Sequence, residues 1–257
     1  MGNKNSAPST PPDLQTAPSA HSMPLPKPDF VGRLQDVNAT LTFLRGLFIG
    51  RYMQNSLLAL GYMQQRHAGQ TRRDGQPYIV HPLAMASHAL SINDPNVTDD
   101  LVATLLLHDV CEDTGVTVKE LPFNGTIRSG VKRMSLIRFN DETTYELKKR
   151  FYNELLESKE ATIGKGFDRY NNLTTMSATF PEDKIRKNVV ETDLLLLPAL
   201  KNGEELWPEA SNLLRLLRTS VRSLNDIYAL AYKVRLSDPS FVNAPDAQDY
   251  THLLTQS

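Results

Sequence analysis

Leu105-Leu106-Leu107-His108-Asp109-Val110-Cys111-Glu112-Asp113-Thr114 is the stretch that decides how the chain reads. An apolar run delivers a His-Asp pair, and a Glu-Asp pair follows four positions later. On a helix, positions i and i+4 share a face. Glu112 therefore falls near His108, and Asp113 near Asp109. Clustered carboxylates repel, and burying them costs on the order of several kcal/mol unless a cation or proton compensates. The segment is either a helix end with solvated acids or a site that uses those acids.

Working outward, further residues of the same chemistry lie in separate elements. Upstream, Tyr78-Ile79-Val80-His81-Pro82 places His81 at a helix entrance, because proline suits a first helical turn. Downstream, Asp168 and Asn172 are again i and i+4 on a helix over 161–179. His81, His108, Asp109 and Asp168 form a mixed imidazole and carboxylate set without thiolate. Such a set suits Mn, Fe, Zn or Mg. An ion there would lower the pKa of a water and polarise a phosphoryl group. Glu112 and Asp113, one turn away, are placed to act as general base and acid or to orient that water.

The composition is compatible with this. The 257 residues carry 28 basic and 29 acidic side chains, a net charge of −1 that does not point to nucleic acid. The hydrophobic content of 40% fits a soluble globular protein, and no apolar run reaches the roughly 18 residues of a membrane span. The lone cysteine, Cys111, excludes an internal disulfide and fits a reducing, cytoplasmic compartment.

The pattern is mostly helical and predicts an all-α bundle in a single domain spanning 30–235. Residues 1–29 hold a Pro/Ser-rich segment too poor in apolar residues to fold, hence a disordered tail. Residues 236–257 read as a loosely held C-terminal tail. Met1-Gly2-Asn3-Lys4-Asn5-Ser6 matches the pattern for N-myristoylation at Gly2, which would matter only inside a eukaryotic cell. Helices are expected over 30–49, 51–68, 82–92, 98–113, 141–159, 161–179, 182–200 and 205–235, with a short one at 117–121. Loops are expected over 71–77, carrying Arg72 and Arg73, and over 122–130, where Pro122, Gly125 and Gly130 stand. The run Lys148-Lys149-Arg150 reads as a solvated face.

Three motifs in order, His67 to Pro82, His108 to Thr114 and Asp168 to Asn172, resemble the hydrolase domain of RelA/SpoT homologues. The stand-alone small alarmone hydrolases are the nearer resemblance, which covers roughly residues 50–200. It implies an all-helical HD-domain fold and a Mn²⁺-dependent removal of the 3′-pyrophosphate from ppGpp and related alarmones, giving GDP or GTP and pyrophosphate. It implies that His81, His108, Asp109 and Asp168 bind the metal, and that Glu112 and Asp113 carry the acid–base work. Arg72 and Arg73 match a basic pair beside the nucleotide, in keeping with the fit of guanidinium to phosphate. Asn172 matches an asparagine near ribose and phosphate. Tyr78 either lines the base or ribose pocket or packs, and Arg138 falls near a phosphate-contacting cation.

Cys111, Gly164, Gly166, Phe167 and Asn171 depart from the family's usual residues and leave the purine open; Cys111 is either a packing residue or a redox-sensitive group. A cognate alarmone-synthetase toxin is an implied partner. The competing readings are a 2′-phosphatase of NADPH, a secreted effector acting on host nucleotides and associated with their membranes, and a non-catalytic nucleotide-binding HD module.

Overall fold

Leu101 to Leu107 are all buried, and this explains why the run is apolar on every side: a helix hydrophobic all round is one enclosed all round. In the computed structural model, which describes residues 37–73, 75–139 and 142–234, that segment is α4 (Asp99–Leu107). Its two faces serve two apolar clusters. Val102, Ala103, Leu106 and Leu107 pack with α1 (Val37–Gly50), α2 (Gln54–Arg66) and part of α3 (Val80–Ser91). Leu101 and Leu105 pack with the second half of the chain. Thr98 caps α4, its Oγ1 accepting from Leu101 N at 3.2 Å. Asp99 closes α2 instead: its carboxylate accepts from Asn55 N at 2.8 Å, Ser56 N at 2.7 Å and Ser56 Oγ at 2.6 Å.

The second half holds α5 (Val110–Asp113), α6 (Gly125–Met134), α7 (Thr144–Leu155), α8 (Lys159–Thr179), α9 (Glu182–Glu191), α10 (Leu197–Leu206) and α11 (Ser211–Ala231). No strand forms among the described residues; a lone bridge joins Thr71 to Pro77. The fold is all-α, as the periodicity predicts. The expected tails and Gly2 lie outside the described residues.

Five elements differ from expectation. The predicted helix 98–113 is interrupted at His108 and Asp109. The His108 ring N–H takes the Leu105 carbonyl at 2.9 Å, the acceptor that a continuing helix would offer Asp109 N. The predicted loop 122–130 is largely helix α6, capped by Asn124, whose Oδ1 accepts from Ile127 N at 3.0 Å. Gly130 marks close packing there, not a turn: a Cβ on it would sit 2.7 Å from the Thr104 methyl. The predicted helix 182–200 contains a π-turn at Thr192–Leu196 ahead of Pro198, whose missing N–H cannot serve an ordinary α-turn. The predicted helix 205–235 starts at Ser211, after a 3₁₀ turn at Pro208–Ala210, and ends at Ala231. A 3₁₀ turn at Val118–Glu120 stands where the short helix was expected.

Candidate functional site

His81 enters from the first turn of α3, His108 from the break after α4, and Asp168 from the middle of α8; all three are buried. One ligating atom from each lies within 4.8 Å of the others. His81 Nε2 is 3.2 Å from Asp168 Oδ1, and the two imidazole centroids are 5.1 Å apart.

The outer nitrogens fix how the rings present themselves. His108 Nδ1 lies 2.9 Å from the Leu105 carbonyl, which can only accept, so Nδ1 carries the hydrogen. His81 Nδ1 lies 2.7 Å from Asn171 Oδ1 in the same relationship. Both Nε2 lone pairs then point at carboxylates. His108 Nε2 has no hydrogen-bond partner by geometry, although Asp109 Oδ2 is only 2.9 Å away. Lone pairs facing carboxylate oxygens in a buried pocket call for a cation or a proton between them. The donor set therefore fits a divalent metal, and hydrogen bonds to the far ring nitrogens are what metal-ligating histidines ordinarily have.

Without a metal, charge compensates. Burial alone would lower the His108 pKa, but the charges of Asp109 and Asp168 outweigh it and hold the imidazole up at about 9. Burial likewise opposes ionisation of Asp168, yet Lys165 and the histidines keep its carboxyl well below the usual range. Lys165 Nζ sits 2.7 Å from Asp168 Oδ2, and Asn172 donates to Asp168 Oδ1 at 2.7 Å.

Asp109 stands beside the triad. Its Oδ2, besides facing His108, accepts the Tyr78 hydroxyl at 2.5 Å. Burial and the negative charge of Asp109 drive the Tyr78 pKa far up, so the phenol stays protonated. Tyr78 also stacks on His67, ring centroids 4.5 Å apart. Its hydroxyl is thus committed to holding Asp109.

Glu112 and Asp113 follow on α5. Glu112 accepts from Leu136 N, which ties α5 to the chain leaving α6. Partial burial of its carboxyl raises the Glu112 pKa against the opposing pull of the Leu136 N–H and Lys165, although the residue as a whole is exposed. The Asp113 backbone carbonyl accepts from Gln70 Nε2 at 3.1 Å. Arg72 and Arg73 ride a tight loop pinned by Arg72 N to Gln76 O at 2.7 Å and Tyr78 N to Gln70 O at 2.9 Å, with Gly75 at φ +82°. Arg138 lies apart: its guanidinium is exposed and bonds the Glu142 carbonyl at 2.7 Å and Thr144 Oγ1 at 3.3 Å.

A cavity of about 720 Å³ adjoins the triad, with Asp168, Lys165, Asn172 and Arg73 in its wall. Much of its remaining wall comes from α7 and α9 and includes Lys148, Lys184 and Lys187, which sequence reasoning did not select. The run Lys148-Lys149-Arg150 divides: Lys148 faces the cavity, Lys149 is exposed, and Arg150 is taken by Glu142 and Glu154. Only the helical phase, one lysine inward and the next outward, carried any signal. Cys111 packs against the core beside α2 and α4, and burial together with Glu112 and Glu120 pushes its thiol up to about 11.

No protein-family model matches the chain. Among curated proteins, a probable guanosine-3′,5′-bis(diphosphate) 3′-pyrophosphohydrolase of Synechocystis is 29% identical over 148 residues, covering 55% of this chain and 19% of that protein. The bifunctional (p)ppGpp synthase/hydrolase SpoT of Escherichia coli is 30% identical over 158 residues, 59% of this chain and 21% of the relative. A probable GTP pyrophosphokinase of Mycobacterium leprae is 34% identical over 128 residues, 48% of this chain and 16% of the relative. The similarity thus spans about half of this chain and about a fifth of each relative.

Proposed function

We propose that this relative of the RelA/SpoT hydrolases is a divalent-metal-dependent phosphohydrolase that removes the 3′-pyrophosphate from a guanosine or adenosine alarmone. The observation that carries the reading is the buried His81–His108–Asp168 triad opening onto a cation-lined cavity. The names of the relatives supply the substrate class.

In this reading His81, His108 and Asp168 hold the metal, with Asp109 as fourth ligand, and Mn²⁺ is our first choice for the ion. When bound, such a cation supplies Lewis acidity toward a phosphoryl oxygen and makes water a nucleophile near neutral pH. Glu112, raised in pKa yet exposed to solvent, takes up and returns the proton near the attacking water. Asp113 assists on the same face. Arg72, Arg73 and Asn172 position the substrate. Tyr78 keeps Asp109 in place and does not stack on a base. Arg138, engaged with its own loop, has no part in this arrangement. A cognate alarmone synthetase is the partner such a hydrolase would oppose.

The test is product analysis with purified protein and Mn²⁺, offering ppGpp, pppGpp, ppApp and NADPH separately. Pyrophosphate released from an alarmone, abolished by EDTA and by Asp168→Ala, is the expected result and identifies the purine. Phosphate from NADPH alone would replace the reading with a 2′-phosphatase. Tight binding without turnover would reduce the site to a binding module.

A further inference from the structure

Leu136 N donates to the Glu112 carboxylate from a stretch without regular structure, where the chain leaves α6. That N–H is held from both sides. Before it, Ser135 is buried and bonds Val131 O through its N at 3.0 Å and its Oγ at 2.9 Å. After it, the anchor is one guanidinium from α7. Arg150 Nη2 donates to the Ile137 carbonyl at 2.6 Å and to Glu142 Oε2 at 3.0 Å, and Nε donates to Glu142 Oε1 at 2.6 Å. The same guanidinium lies over the Phe139 ring, 4.2 Å from its centroid, and Glu142 Oε2 accepts from Phe139 N at 3.1 Å. Nη1 reaches Glu154 at 3.0 Å and so ties the group back to α7. An isolated exposed ion pair contributes little. Here both partners are partly buried, and a planar fork that meets a carboxylate on two bonds and a carbonyl on a third fixes geometry. The loop then reaches Thr144, which stands in the wall of the cavity.

We infer that Arg150 is a positioning residue for Glu112: by gathering Ile137, Phe139 and Glu142 onto one guanidinium, it holds the Leu136 N–H that orients the carboxylate. The inference rests on the hydrolase reading, in which Glu112 moves the proton of the attacking water. Glu112 as a whole is exposed, so without that bond its side chain would sample several rotamers. A proton-transfer group works only within hydrogen-bond reach of its water, and a small misplacement is costly in rate. Arg150 acts on Glu112 through the loop alone.

The experiment is a double-mutant cycle between Arg150→Met and Glu112→Gln, read as kcat and KM on ppGpp with Mn²⁺, together with amide hydrogen exchange at Leu136. Arg150→Met is expected to lower kcat about tenfold while KM stays within about twofold of wild type. Glu142→Gln, which weakens the same loop from its other side, is expected to follow it. In the Glu112→Gln background Arg150→Met should cost less than about twofold, because the group that it orients is already gone. Equal losses in both backgrounds, or a loss confined to KM, overturn the assignment and leave Arg150 a staple of its loop. If wild type hydrolyses no alarmone, the hydrolase reading fails by itself, and exchange at Leu136 decides whether Arg150 holds the bond to Glu112. Exchange at least about tenfold faster in Arg150→Met supports it, and unchanged exchange overturns it.

Discussion

Asn171 Oδ1 lies 2.7 Å from His81 Nδ1, two side chains that are ninety positions apart. Their neighbours in sequence do other work: Asn172 bonds Asp168, and Tyr78 bonds Asp109. Asn171 thus sets the tautomer of one ring of the triad from the side away from Asp168. Asn171→Ala should weaken Mn²⁺ binding by about 10- to 100-fold, with the helix content unchanged. Calorimetric titration with Mn²⁺ checks this, and an affinity equal to wild type would remove Asn171 from the site.

Metal affinity should depend on pH, with a definite sign. His108 in the metal-free protein is held up at about 9, above its ordinary 6.5. Its protonated form therefore stabilises the metal-free fold fully below about 6.5, and that contribution disappears as pH rises through about 9. A metal must displace this proton, so affinity should climb from pH 6.5 to 9, with proton release on binding. Titrations in buffers of different ionisation enthalpy measure the release. A flat affinity across that range contradicts the assignment.

Gly130→Ala should destabilise the fold by about 1–3 kcal/mol through overpacking. The added Cβ would meet the Thr104 methyl at 2.7 Å, and Thr104 is buried and bonded to the Asp100 carbonyl at 2.8 Å, so it yields little. Gly125→Ala, with open space around the position, serves as the control. Denaturant unfolding of the two variants should separate them; equal midpoints would mean that α6 can shift away from α4.

Cys111 should react slowly with iodoacetamide at pH 7.5, because the thiolate is the nucleophile and this thiol is pushed up to about 11. The rate should rise sharply once the protein is unfolded in urea. Labelling as fast in the native state as in urea would restore a redox-sensitive role to this cysteine.

Much of this was legible in the sequence where chemistry and helical phase coincide. His108, Asp109, Glu112 and Asp113 are four positions apart in pairs, and the backbone bond from Asp113 N to Asp109 O at 2.9 Å keeps that phase through the break. Gly125 and Gly130 misled because a glycine used for close packing is spelled like a glycine used for a turn. Lys148 and Lys184 could not be chosen, since α7 and α9 meet only in the folded chain, where Lys148 and Tyr152 reach Glu191, and a lysine on an amphipathic helix reads as solvated until the opposite wall is known. Arg138, chosen for its nearness to a motif, bonds the Glu142 carbonyl and Thr144 Oγ1 of its own loop, a local contact that nearness in sequence does not announce.

The start of α2 is closed by Asp99, a residue 44 positions beyond Asn55. On a growing nascent chain the segment 54–66 leaves the ribosome well before that carboxylate exists outside the tunnel. At ordinary synthesis rates the wait is roughly a few seconds. During that interval the first turn of α2 has no side-chain cap of its own, for Met53 offers none. α2 is therefore expected to consolidate together with α4, once that aspartate has cleared the tunnel.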